Sequence, residues 1–318
     1  SGRALGIMVG TPGAQLLEEV KSLPGVYGSK VCKEIRLDLG RSLRLENDLR
    51  QILGNTFDGK RLDKHGNSLP FNGTQVCGYT LEHELGIRPN SDQHGDLYGI
   101  ELKVHTMPKV TLFTPEPDFG LYSDDFPAYM IKYGYRDGND DLRVTGIHRA
   151  GIRCAKSGLT LKVRTSALNE ESGKVEYSDY DASRSFTSQM DSIEVVLLDD
   201  EGSVAAGWSL ERILNNWNNK HDEVVYVSAK KTVQTDLGKI DGGIKHLVRF
   251  EKEVTWCKKT SAVQLFNAIS QGVIYLDPAP KYCPDEPSRN KRRSQWRVSN
   301  IDKAVKTLYE EVRYVTIE

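Results

Sequence analysis

The sequence lacks long apolar runs, closely spaced pairs of cysteines and a large net charge of either sign. No apolar stretch approaches the roughly 18 to 20 residues that span a bilayer, and residues 1–10 lack the regions of a signal peptide, so we expect a cytoplasmic protein without membrane association. The five cysteines are odd in number and form no CxxC pair, which argues against a disulfide framework and against structural zinc. The net charge of −1 argues against a histone-like binder of polyanions.

What the chain does have is an ordinary globular composition with unevenly placed charge. Its 318 residues are 38% hydrophobic and 27% charged, which fits one large two-lobed domain or two modest ones. Residues 289–297 carry five positive charges and no acid, whereas residues 137–141 and 199–201 are acidic. Local charge of this kind leaves a nucleic-acid-binding surface open despite the neutral total.

Apolar periodicity and turn residues predict alternating helices and strands in the first 114 residues. Leu45, Leu49, Ile52 and Leu53 share one helical face, and Gly54 ends that helix. Residues 55–75 are rich in Gly, Asn, Asp and Lys and are predicted to be loop. A short helix is expected at 79–85, and strands at 99–106 and 110–114.

The remainder is predicted to be β-rich in the middle and mixed at the end. Short strands are expected at 144–148, 159–163 and 193–198. Later elements are a helix at 210–217 capped by Ser209, a strand at 224–228, a helix at 262–269 closed by Gly272, a strand at 273–276 and a final helix over 301–312 capped by Ser299. The pattern predicts an α/β fold, a mixed sheet flanked by helices, with a β-rich lobe.

The strand predicted at 99–106 carries the residues that point to chemistry. Side chains alternate across a strand, so Glu101, Lys103 and His105 share one face while Ile100, Leu102 and Val104 point into the core. Asp96 precedes Gly99, which permits a turn that brings the Asp96 carboxylate beside Glu101. The sequence therefore predicts a cleft lined by two carboxylates and a lysine.

This set of side chains suits metal-dependent phosphodiester hydrolysis. Carboxylates of Asp96 and Glu101, with the Leu102 carbonyl, are the hard oxygen ligands that Mg²⁺ prefers. A lysine such as Lys103 can orient a water and stabilise charge in the transition state. His105 lies on the same face and is a candidate for contacting the scissile phosphate or a water, although a histidine at a strand end is more often an ordinary hydrogen-bonding group.

Taken alone, Asp-x4-Glu-x-Lys is a common pattern in a charged chain, but its surroundings resemble a known family. Segments around the motif match the MvaI/BcnI restriction endonucleases, a branch of the PD-(D/E)XK nucleases related to the nicking enzyme MutH. They are Cys77-Gly78-Tyr79-Thr80-Leu81-Glu82, Leu85-Gly86-Ile87, Asn90-Ser91-Asp92, Gly99-Ile100-Glu101-Leu102-Lys103 and Thr111-Leu112-Phe113-Thr114. The clear resemblance covers residues 77–117, with a weaker similarity from Trp208 onward.

The resemblance implies a PD-(D/E)XK core with Asp96 and Glu101 as metal ligands and Lys103 as the catalytic lysine. Glu82 matches a helix glutamate that faces the active site in MutH-like enzymes, and Leu81 and Leu85 anchor its helix. Its alternative is a solvated helix glutamate. Asp96 lies closer to Glu101 than the corresponding residue of MutH does, so Asp92 remains an alternative ligand.

A nuclease needs cations for phosphate contacts and polar side chains for base contacts. Arg289, Lys291, Arg292, Arg293 and Arg297 are the strongest candidates, with Lys230 and Lys231 as secondary phosphate contacts. Asn290 and Gln295 are candidates for reading adenine. Trp296 alternates with these residues and is expected to pack into the core. The alternative is a solvated basic loop.

We therefore predict a Mg²⁺-dependent type II endonuclease that cuts double-stranded DNA at a specific site. The resemblance implies a monomer that cuts one strand at a time. The predicted catalytic core covers about 40–118 and 207–272, and the recognition lobe about 119–206 plus 273–298. The alternatives are a MutH-like repair nickase, a DNA-binding module without catalysis, and an unrelated α/β enzyme.

Overall fold

A five-stranded mixed sheet forms the centre of the protein. The computed structural model describes residues 38–89, 95–234 and 243–317, together with Lys21. The order is β1–β13–β12–β4, with β17 also paired to β13, and β4 pairs parallel to β12 while the other pairs are antiparallel. The strands are β1 (Thr56–Asp58), β4 (Glu101–His105), β12 (Glu223–Val233), β13 (His246–Lys258) and β17 (Glu311–Thr316). Because β4 is an edge strand, its outer backbone is available to other groups.

Helices cover both faces of this sheet. On one face, α1 (Asp38–Arg50) and α2 (Val76–Glu84) bury Leu49 and Leu81 against the sheet residues Val225 and Val227. On the other, α5 (Leu210–His221) buries Trp217 in a core that includes sheet residues of β12. Full burial of side chains of this size contributes about 1.5–3 kcal/mol each, so both faces hold the sheet in place.

The middle of the chain forms three smaller sheets and two helices. A four-stranded sheet has the order β11–β10–β8–β9, and two three-stranded sheets have the orders β14–β16–β5 and β15–β7–β6. The strands are β5 (Val110–Phe113), β6 (Tyr135–Arg136), β7 (Leu142–Arg143), β8 (Thr160–Asn169), β9 (Lys174–Asp179), β10 (Glu194–Leu198), β11 (Val204–Ser209), β14 (Ile274–Leu276), β15 (Lys281–Tyr282) and β16 (Trp296–Val298). The helices are α3 (Leu121–Asp124) and α4 (Phe126–Tyr133).

Two more helices and a hairpin complete the fold. The hairpin of β2 (Lys60–Leu62) and β3 (Ser68–Pro70) packs beside α2. The helices are α6 (Ala262–Ser270) and α7 (Ile301–Leu308). The described residues contain no helix that is long and apolar enough to cross a membrane.

Most predicted elements are confirmed, and four predictions are wrong. Residues 144–148 are not a strand, since Gly146 has a φ of 130° that breaks the extended run and only His148 forms an isolated bridge. Residues 55–75 contain β1, β2 and β3 rather than only loop.

The other two errors concern the last helix. Asn300, not Ser299, caps α7, because the Asn300 side chain accepts a hydrogen bond from the Lys303 amide. Ser299 instead accepts a hydrogen bond from Arg149, a contact far away in sequence. The helix ends at Leu308, and Val312 lies in β17, where pairing with β13 outweighs the helical spacing of the apolar residues.

Candidate active site

The side chains of β4 alternate as predicted. Ile100, Leu102 and Val104 belong to the core beneath α1 and α2. Glu101 and Lys103 lie beside Val224 and Tyr226 of β12, which belong to the core on the opposite face of the sheet. The strand therefore fixes Glu101, Lys103 and His105 on one face by anchoring their neighbours on the other.

A tight turn brings Asp96 to the start of this strand. The Asp96 amide donates to the Ile100 carbonyl at 3.0 Å, and Leu97 and Ile100 form a bridge. Gly95 has a φ of 77°, and a Cβ there would lie 2.8 Å from the backbone of Gly99, so only glycine fits this close approach. The Asp96 Oδ2 then accepts a hydrogen bond from the Leu102 amide at 2.8 Å. Asp96 thus lies at the free edge of β4, as the turn predicts.

Glu101 is a buried carboxylate in which one oxygen accepts a hydrogen bond and the other accepts none from the described residues. The residue is 5% exposed, and its Oε1 accepts a hydrogen bond from Lys103 Nζ at 3.0 Å. Its Oε2 is buried and receives no hydrogen bond from the residues that the structure describes. A buried acceptor without a partner costs roughly 1–3 kcal/mol, so this oxygen suits a ligand that supplies positive charge.

The donors in this region fit Mg²⁺ better than a softer metal. Two carboxylates and a backbone carbonyl are hard oxygen ligands, and Mg²⁺ keeps several of its waters. Across the described ranges, no group of three or more His, Cys, Asp or Glu side chains is arranged to hold a metal. The residues that could hold Mg²⁺ here are Asp96 and Glu101, with the Leu102 carbonyl and water as further oxygen ligands.

His105 and Lys103 open into a cavity of about 440 Å³, which we call the β4 groove. Its polar lining is Lys103, His105, Thr106, Lys109, Thr111 and Arg297. Burial lowers the pKa of His105, against the opposing effects of the Met107 carbonyl and of Asp302. The neutral ring shares a hydrogen bond of 3.1 Å between Nδ1 and that carbonyl, which makes Nδ1 the donor and Nε2 an acceptor.

Glu82 does not share the groove with Lys103. It lines a second cavity of about 330 Å³ with Thr74, Gln75, Gly78, Tyr79 and Val104, which we call the α2 cavity. Val104 packs on the α2 side of β4 and lines this cavity with Glu82, so Glu82 lies on the side of β4 opposite the face that carries Glu101. Asp92, the alternative ligand, lies outside the described residues.

Residues 289–297, the basic segment, are held in place rather than forming a free loop. Arg289 pairs with Asp141 at 3.1 Å and Glu286 at 3.3 Å. The guanidinium of Arg292 stacks over the rings of Tyr122 and Phe126. The positive charges of Arg289 and Arg292 therefore already have partners within the protein.

The rest of the basic segment divides between core and surface. Trp296 is fully buried, as predicted. The amide and hydroxyl of Ser294 donate to Glu116, which ties the segment to the chain after β5. Lys291 and Arg293 are exposed, and Arg297 alone reaches the β4 groove.

The predicted adenine readers and the secondary lysines have other surroundings. Asn290 accepts a hydrogen bond from the Cys283 amide, and Gln295 accepts one from Arg297, so both amide side chains serve local structure. Lys230 pairs with Glu251 at 2.8 Å on the part of β12 beyond the end of β4. The adjacent Lys231 pairs with Val248 of β13 in the sheet register.

Lys109, which lines the β4 groove, and its partner Asp277 are residues that the sequence did not indicate. Lys109 pairs with Asp277 across 168 residues of sequence, and Asp277 also pairs with Arg297. No local pattern marks either residue, because their meeting depends on how β5, β14 and β16 assemble into one sheet.

Comparison with known proteins identifies the family. The model of the MvaI/BcnI restriction endonuclease family matches residues 47–309. The fold is similar to that of restriction endonuclease MvaI in a complex with its cognate DNA substrate, with a TM-score of 0.58 and 16% identity over 88% of this chain and 99% of that one. MvaI in the absence of DNA gives a TM-score of 0.43 and 15% identity over 89% and 100% of the two chains. No curated protein matches the chain significantly.

The first structural match confirms the predicted α/β fold, a mixed sheet flanked by helices. The family match covers most of the chain, well beyond residues 77–117, where the motifs lie. By its sequence and its fold, this chain belongs to the MvaI/BcnI restriction endonuclease family.

Proposed function

We propose that the protein is a type II endonuclease that cuts both strands of DNA at a specific site and depends on Mg²⁺. The observation that carries this proposal is that Asp96 accepts from the Leu102 amide at the free edge of β4, while Glu101 pairs with Lys103 on one face of that strand and Lys103 lines an open groove. Family membership supports the same activity.

In this proposal Asp96, Glu101 and the Leu102 carbonyl hold the metal. The buried Glu101 Oε2 supplies a carboxylate oxygen that has no other partner within the described chain. When bound, Mg²⁺ polarises the phosphate and makes a coordinated water more acidic. The Asp96 side chain is already oriented by the Leu102 amide, so it needs little rearrangement.

Lys103 and His105 act on the substrate side of the groove. Lys103 is held at 3.0 Å from Glu101 Oε1, which orients its ammonium toward the position of the scissile phosphate and lets it stabilise negative charge in the transition state. The neutral His105, with Nδ1 donating to Met107, presents Nε2 as an acceptor for the water or for a group that carries a proton.

The wider assignments rest on charge and placement. We assign the contacts with DNA to Arg289, Lys291, Arg292, Arg293, Arg297 and Lys230. The catalytic core then comprises residues 40–118 and 207–272, and the recognition lobe comprises residues 119–206 and 273–298. Glu82, across Val104 from the groove, has a supporting role at the site. A monomer that cuts the strands in turn would leave 5′-phosphate and 3′-hydroxyl ends.

Digestion of phage DNA tests this function. The purified protein with Mg²⁺ is expected to give discrete fragments, and sequencing their ends identifies the site and the cut positions. EDTA should abolish cleavage, and the Glu101→Gln variant provides a matched inactive control. Complete cutting of a plasmid by the protein alone contradicts a repair nickase that needs partner proteins. Absence of cleavage on every DNA tested contradicts the enzyme.

A further inference from the structure

Lys109, Asp277 and Arg297 form one cluster in the wall of the β4 groove. Asp277 Oδ2 accepts from Lys109 Nζ at 2.8 Å and from Arg297 at 2.9 Å. A second guanidinium nitrogen of Arg297 donates to Gln295 at 2.7 Å. The Nε of Arg297 has no acceptor in the part of the chain that the structure describes. The cluster therefore holds the two cations in place, and one N–H donor of Arg297 has no acceptor within the described residues.

The charge of this wall favours an anion. Two cations share a single carboxylate, so the cluster keeps one net positive charge. Asp277 stands behind the cations, and among the described residues that line the groove none is acidic. Lys103 also lines the groove, but its charge is paired with Glu101, so the net positive charge of the wall comes from Lys109 and Arg297. A groove with cations in its lining and the acid behind them matches a phosphodiester backbone.

The position of the cluster relates it to the proposed chemistry. Lys103 belongs to β4 of the central sheet, whereas Arg297 pairs with Thr111 in the separate sheet of β14, β16 and β5. Both side chains line the same cavity, so the groove lies where the two sheets diverge. The connection between them, residues 106–109, is fixed to α7 by a hydrogen bond of 2.8 Å from the Ile301 amide to the Pro108 carbonyl. The wall is therefore tied to α7 as well as to β4.

We propose that Lys109 and Arg297, held by Asp277, bind a DNA backbone phosphate next to the one cut at Lys103. This inference rests on the proposed function and adds a second phosphate site to it. Lys109 is the primary contact because it is 42% exposed and can reach into the groove. Arg297 is 23% exposed and supplies a fixed guanidinium. Binding there aligns the cut strand with β4, which makes both residues positioning groups rather than catalytic ones.

Replacing single DNA phosphates by uncharged linkages tests the proposed phosphate site. The probe is a duplex oligonucleotide that carries the site found by digestion, with one methylphosphonate at a time replacing each phosphate near the cut. Binding is measured by fluorescence anisotropy with Ca²⁺ in place of Mg²⁺. One neutral linkage is expected to weaken binding by the wild type about tenfold, and to have no further effect on Lys109→Gln. Full additivity at every linkage overturns the proposal.

The salt dependence of binding and a variant that removes the charge of Asp277 sharpen the test. Lys109→Gln is expected to weaken binding about tenfold and to reduce the slope of log K against log salt by about 1. Asp277→Asn keeps an acceptor for both cations and removes their neutralising charge, so binding should be equal or tighter. If Asp277→Asn weakens binding as Lys109→Gln does, the cluster is only structural and the proposal is overturned.

Lys60→Gln is the matched control. Lys60 pairs with Asp58 at 3.0 Å and is 32% exposed, near the values for Lys109, but it lies on β2 and does not line the β4 groove. Its loss should leave DNA binding and the salt slope unchanged, and a melting curve for each variant checks folding. A wild type that neither binds nor cuts DNA defeats the proposed function as well. A wild type that cuts DNA while Lys109→Gln binds like it defeats only the phosphate site.

Discussion

Strand β4 and the basic segment are the two regions whose charges attract attention in the sequence, and they behave differently in the fold. In β4, the residues that the pattern places on one face are on one face, and Asp96 joins them through a turn of a few residues. In the basic segment, five similar cations have four different surroundings: ion pairs, stacking on rings, the groove and open surface. Local backbone geometry fixes the first region, whereas distant partners decide the second.

The largest expected effect is that of replacing Glu101, whose Oε2 has no partner among the described residues. Glu101→Gln keeps the shape and removes the charge, so cleavage should fall on the order of 10³-fold in single-turnover assays. The melting temperature should change little, because the amide oxygen still accepts from Lys103 Nζ and the buried oxygen without a partner no longer shares a charge.

Glu223→Gln is the matched control for this change. Glu223 is also 5% exposed, but its Oε1 accepts from Ser42, Trp256 and Lys258. Its replacement should therefore reduce the free energy of unfolding by about 1–3 kcal/mol. If Glu101→Gln and Glu223→Gln destabilise the protein equally, the proposal that Glu101 binds the metal ion is contradicted.

The next effect distinguishes the two candidate aspartates before β4. Asp96→Asn retains the acceptor for the Leu102 amide but loses a charged ligand, so cleavage should fall about 10²-fold and require more Mg²⁺. Asp92→Asn should change the rate by less than about threefold. The measurement is the cleavage rate over a Mg²⁺ titration, and the opposite ranking transfers the ligand role to Asp92.

A smaller effect on DNA binding is expected from the basic segment, and it should differ between arginines with and without ion-pair partners. Arg293 is exposed and forms no ion pair with any described residue, whereas Arg289 is paired with Asp141 and Glu286. Arg293→Gln should weaken DNA binding several-fold and reduce the salt slope by about 1, and Arg289→Gln should change both less. Anisotropy titrations at several salt concentrations measure both. Equal losses would show that the ion pairs of Arg289 open on the DNA.

The smallest expected effect is on the stability of the protein in acid, and it depends on Asp141, which pairs with Arg289 of the basic segment. Asp141 accepts hydrogen bonds from Lys281 and lies near Arg289, and these cations lower its pKa below the ordinary 3.8. A carboxylate with a lowered pKa in the folded state adds stability above pH 3.8 that is lost as the pH falls through its folded value. Asp141→Asn should therefore melt below the wild type at pH 6, and the gap should close below about pH 4. A gap that persists at low pH contradicts an electrostatic anchor.

The helices and strands were predictable where local signals dominated. Ser209 caps α5, Gly272 follows α6, and the alternation of β4 is as the sequence indicates. Prediction failed where long-range pairing decides, as for β17, whose Val312 continues a helical spacing but pairs with Cys257 of β13. The short strands β1 to β3 also lie among turn residues that favour loop.

The candidate site divides in the same way. The sequence by itself determined the family, the face of β4 that carries Glu101 and Lys103, and the turn at Gly99 that returns Asp96 to that strand, because these depend on neighbours a few residues apart. Only the tertiary structure decided that Glu82 lies across Val104, that Arg289 is neutralised and that Lys109 meets Arg297 at Asp277. Cavities and shared countercharges are made by segments distant in the chain, and no local pattern records which segments will meet.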